Sequence, residues 1–69
     1  MNDRLFIEAF EGEKGRAEVY EVLSKDALGI EKVVYEILFA GQRHEVPSMG
    51  EASVLASELA GDKRFSGPR

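Results

Sequence analysis

Apolar and polar residues alternate with a two-residue period through most of the chain before position 47, then switch to three-and-four spacing. That change of period predicts strands followed by one helix. Two apolar-rich runs, residues 5–10 (LFIEAF) and 17–23 (AEVYEVL), flank Gly12, Glu13, Lys14 and Gly15 and read as a hairpin. The expected turn is a three-residue loop over residues 13–15 with Gly15 in the left-handed region. It sets Glu8 opposite Tyr20, Phe10 opposite Glu18 and Phe6 opposite Val22. A two-residue loop at Lys14 and Gly15 would slip the pairing by one and exchange the faces of one strand.

The segment KDALGIE (residues 25–31) connects to KVVYEILFA (residues 32–40), whose β-branched and aromatic content makes it the strongest strand. Leu28 and Ile30 in the connection would cap the core or form a helical turn. Gly41 and Gln42 fit a two-residue hairpin loop that pairs Phe39 with His44 and Ile37 with Val46. Pro47 ends that ladder, having no amide hydrogen to donate. Ser48 and Glu51 form the Ser-x-x-Glu pattern of a capping box, and Gly61 supplies the left-handed stop. Between them Met49, Ala52, Leu55, Ala56 and Leu59 make the core stripe, with Ser53, Ser57 and Glu58 turned to water. The expected fold is therefore α+β: an antiparallel sheet of three to four strands in β-β-β-β-α order, packed on one C-terminal helix. Residues 1–61 form the domain, and residues 62–69 (DKRFSGPR) a flexible basic tail.

Sorting the strands by alternation gives two faces. Leu5, Ile7, Ala9, Ala17, Val19, Leu23, Val33, Tyr35, Ile37, Phe39 and Val46 make the face for the helix, with Glu21 and His44 as its polar exceptions. The second face collects Phe6, Phe10, Tyr20, Val22, Val34 and Leu38, laced with Glu8, Glu18 and Glu36. One helix covers one face, so the second is expected to stay bare. Uncovered apolar surfaces of this kind mark association sites. Phe6, Phe10, Tyr20, Val34 and Leu38 are the expected contact residues of a homodimer or of a protein partner.

Composition narrows the remaining classes. The chain has 69 residues and no cysteine, which excludes disulfides and thiolate metal sites. No cofactor or metal is expected. Charged residues interrupt the first twenty positions, so neither a signal peptide nor a membrane span is expected and the expected setting is cytoplasmic. The formal charge is −4; residues 1–61 hold twelve acids against six bases, or −6. An acidic body repels phosphate backbones. Lys63, Arg64, Phe65 and Arg69 nevertheless combine cations with an aromatic ring, the chemistry that grips phosphates and stacks on bases, and give an alternative role as a nucleic-acid-associated accessory protein.

Glu8, Glu18 and Glu36 would serve acid–base chemistry or a hard cation if they converged, but no nucleophile, phosphate loop or second histidine accompanies them. They read as solubilising groups, His44 as structural, and the glycines as turn punctuation. No enzymatic activity is expected. The strand order and the helix start Ser48-x-x-Glu51-Ala52 are similar in outline to the arm-binding domains of phage-type integrases. Where that resemblance implies a basic, DNA-facing sheet, this chain carries Glu8, Glu18 and Glu36, and no family is assigned.

Overall fold

The computed structural model describes residues 3–62. Strands β1 (Asp3–Gly12), β2 (Gly15–Lys25), β3 (Glu31–Phe39) and β4 (Gln42–Val46) form one antiparallel sheet in the order β1-β2-β3-β4, and helix α1 (Met49–Ala60) follows. This is the α+β arrangement that the change of period predicts. Most of the expected tail, with Lys63, Arg64, Phe65 and Arg69, lies outside the described residues. Asp62 is buried, and its N–H donates to the Ser57 carbonyl (2.9 Å).

The helix starts where its capping residues place it. Ser48 is extended (φ −139°, ψ 155°), and its hydroxyl oxygen accepts from the Glu51 N–H at 3.2 Å. The Glu51 carboxylate accepts from that same hydroxyl (3.2 Å), a variant of the expected box in which the glutamate reaches the serine N–H. At the other end Gly61 is left-handed (φ 76°, ψ 32°) and its N–H caps the Ser57 and Glu58 carbonyls. The buried stripe is Ala52, Ser53, Ala56, Ser57 and Ala60, with Leu55 and Leu59 half-buried on its flank. Ser53 and Ser57 therefore do not face water as the spacing suggested. The Ser57 hydroxyl donates to the Val54 carbonyl at 2.9 Å, which hides its polarity inside the helix. Small side chains on this stripe let the helix lie close to the sheet.

The first hairpin turns at Glu13 and Lys14, with Gly12 paired to Gly15, and not through the three-residue loop. Gly15 has positive φ (136°) as expected. Near the turn Phe10 consequently faces Ala17, and Glu8 faces Val19. A bulge at Ile7 absorbs one residue, after which Phe6 faces Tyr20 and Leu5 faces Glu21. Phe10 thus belongs to the helix side, 5% exposed in a core with Ala17, Val19, Ile37, Ala52, Ala56 and Ala60. The physical reason is volume: alanines opposite and above leave a space that an aromatic ring fills.

The second hairpin turns at Ala40 and Gly41, both at positive φ (52° and 78°), the signature of a type I′ turn. Phe39 pairs with Gln42, Ile37 with His44 and Tyr35 with Val46, two positions away from the expected register. A shift of two keeps every side chain on its expected face.

The hairpin tip and the helix end lock together. The Lys14 N–H donates to the Ala60 carbonyl (2.8 Å), and a Cβ on Gly12 would stand 2.4 Å from the carbonyl carbon and oxygen of Gly61. Gly12→Ala should therefore force the tip off the helix and cost about 1–3 kcal/mol or more, read as a lower midpoint in urea. Ala40→Asn should act in the opposite sense, because asparagine tolerates the left-handed region that alanine occupies at a cost of roughly 1–2 kcal/mol. A raised melting temperature is the expected result.

Candidate interaction surfaces

On the second sheet face, Glu36 is 5% exposed and pairs across the strands with Tyr20 on β2 and Glu45 on β4. The Arg43 guanidinium donates to Glu36 Oε2 and, at 3.2 Å, to Glu45 Oε1. Arg4 Nη2 stands 2.6 Å from Glu36 Oε1 as an ion pair without hydrogen-bond alignment, and its guanidinium lies 4.6 Å from the Tyr20 ring centre. Phe6 meets Tyr20 edge-on at 5.6 Å. Toward the first hairpin, Arg16 donates to Glu18 (3.1 Å) and Glu11 (2.5 Å), and the Tyr20 hydroxyl donates to Glu18 (3.0 Å). Three arginines thus neutralise the carboxylates within the chain and tile the strands between them.

These bonds shift the titration of the groups. The Arg16 hydrogen bond, followed by that from Tyr20, holds the Glu18 carboxyl below its ordinary value. The hydrogen bond that the Tyr20 hydroxyl donates to Glu18 in turn holds the phenol above its ordinary value, because ionisation would remove the donated proton; desolvation and the Glu18 charge add to the shift. Arg43 is raised chiefly by its bond to Glu36.

The five expected contact residues therefore do not form one surface. Phe10 is in the core on the other face, Val34 is buried, Tyr20 lies under Arg4 and Leu38 is half-buried; Phe6 alone is well exposed. Nor do the three glutamates converge. Glu8 follows the bulge and pairs with Val19, while Glu18 and Glu36 are each held by an arginine. Among the described residues no group of His, Asp or Glu is arranged to hold a metal ion. His44 is half-buried opposite Ile37, and its Nε2 has no hydrogen-bond partner among the described residues. The arginines had a signal in the sequence: Arg16 and Glu18, and Arg43 and Glu45, stand two apart on a strand and so share a face.

The bare apolar surface lies elsewhere, on the helix side beyond the end of the helix. Of the eight large hydrophobic side chains exposed among the described residues, seven are Leu5, Phe6, Ile7, Leu23, Leu28, Ile30 and Val33, all toward the end opposite the first hairpin. On the helix side of that end Leu5 is 60% exposed and Leu23 and Val33 are 41% exposed. Leu28, at 83%, projects from the β2–β3 loop and does not cap the core. The loop is built to hold it there: Asp26 Oδ1 accepts from the N–H groups of Leu28 (2.9 Å) and Ile30 (3.0 Å), and Gly29 takes positive φ (81°).

Comparisons with protein-family models, curated proteins and solved structures found no match for this chain.

The Glu18–Tyr20 bond gives a direct measurement. In an absorbance titration Tyr20 should ionise above the ordinary value of about 10, and Glu18→Gln should bring it back toward that value. The stability carried by the raised phenol is present below its unfolded pKa and lost as pH rises through the folded one. The lowered Glu18 contributes above its unfolded pKa and is lost as pH falls through the folded one.

Proposed function

We propose that the protein is a small, non-enzymatic interaction module of the cytoplasm that self-associates through the end of the helix-side sheet face left bare by α1. The observation that carries this reading is the exposure of Leu5, Leu23 and Val33 on the helix side beyond α1, with Leu28 and Ile30 exposed on the adjoining β2–β3 loop. Such patches are uncommon on domains that act alone. The second face is a poorer contact surface, because its apolar residues lie among ion pairs already closed within the chain. Those pairs also weigh against nucleic-acid association through the described body: Arg4, Arg16 and Arg43 each stand against a carboxylate. No helix among the described residues is long and apolar enough to cross a membrane.

Light scattering should give a mass that rises toward twice the 7.6 kDa chain mass at several hundred micromolar. Leu23→Asp or Val33→Asp should yield a folded monomer, since both side chains are substantially exposed and lie beyond the helix. A wild-type chain that stays monomeric throughout this range would sink the reading.

A further inference from the structure

We infer that the partner is a second copy bound about a twofold axis crossing the Leu23–Val33 row, with Glu21 of each copy paired to Lys25 of the other. This rests on the self-association proposed above and adds its register. On the helix side, where cover by α1 ends, the sheet presents three successive rows: Glu21 with Tyr35, which packs against the edge of the core, then the uncovered Leu23 with Val33 and Lys25 with Glu31. Two such surfaces packed face to face, with the axis lying across the strands, set β2 over β2 and β3 over β3 in opposite directions. An axis at the first row places Glu21 against Glu21, and one at the last places Lys25 against Lys25. The middle row alone superposes aliphatic side chains on themselves and brings opposite charges together on both sides.

In that arrangement Leu23 meets Leu23 and Val33 meets Val33 of the second copy. Tyr35, whose hydroxyl donates only a long 3.4 Å bond to Glu21, comes opposite Glu31 of the second copy. The arrangement also accounts for Glu21, a carboxylate within an otherwise apolar stretch of sheet. Each β2–β3 loop, with Leu28 and Ile30, arrives near the row where β4 ends and the chain turns into the partner's helix. Three strands and the five residues of β2 from Glu21 to Lys25 cover roughly 14 by 16 Å. This is a small contact, so weak association, in the range of hundreds of micromolar, is expected.

A charge exchange tests the register. Glu21→Lys and Lys25→Glu should each weaken self-association about tenfold or more, because each places like charges together twice per dimer. Mixed in equal amounts, the two variants should form a heterodimer close to wild-type strength, since every contact is again opposite in sign. Circular dichroism checks that each variant folds. Should one of them unfold, the wild-type salt response decides: association weakening several-fold between low and high salt is expected, and a flat response overturns the pairing. Variants that remain monomeric when mixed, beside a wild type that dimerises, overturn this register and leave the self-association reading intact. A monomeric wild type overturns both.

Discussion

A helix of twelve residues spans about 18 Å, whereas strand β2, with eleven residues, spans about 36 Å. The division of the helix-side face into a covered and a bare part follows from that mismatch of lengths. The helix closes the part of the sheet next to the first hairpin, where Phe10, Ala17, Val19 and Ile37 are buried against the alanines of α1. Beyond the row of Tyr35 and Val46 there is neither a fourth strand nor a helix above. The sheet itself continues, so its side chains alternate as before with nothing over them. The lock between Gly12 and Gly61 fixes which end is covered, because it ties the helix terminus to the hairpin tip.

The second face meets the same shortage of cover differently. Its apolar residues alternate with carboxylates, and Arg4, Arg16 and Arg43 pair with those carboxylates, the Arg4 guanidinium lying over the Tyr20 ring. Exposed pairs of this kind contribute little individually. Glu36 is different, since a buried carboxylate without a cation would be strongly unfavourable. Two arginines at this position let a glutamate occupy the centre of a strand with water excluded from it.

Much of the fold was legible in the sequence. The change of period, the Ser48 start, the Gly61 stop and the Pro47 break all fall where local chemistry requires them. The register of β1 was not legible, because Gly12 and Gly15 bracket a turn that several loop lengths can satisfy, and Ile7, the bulged residue, looks like any strand residue. Phe10 could be placed only by knowing that alanines would stand around it. The second turn was missed by one residue because alanine is an uncommon occupant of the left-handed region. The burial of Ser53 and Ser57 was not legible because polarity does not dictate exposure where a serine can satisfy its hydroxyl on its own helix, as Ser57 does. The exposed apolar side chains beyond α1 were not legible for a related reason: alternation assigns a side chain to a face and says nothing about how far along that face the cover extends.

The bulge at Ile7 has a consequence for the outer edge of β1, which pairs only with β2 and leaves a ten-residue margin open. An unbroken edge of that length would be a template for another chain to extend the sheet without limit. The inserted residue breaks the margin into two short lengths, residues 3–6 and 8–12, that are out of phase with each other. A straight strand can pair with either length but not with both. Growth by edge addition along β1 is thereby discouraged in a chain that has no cysteine to hold it closed and little core to spare.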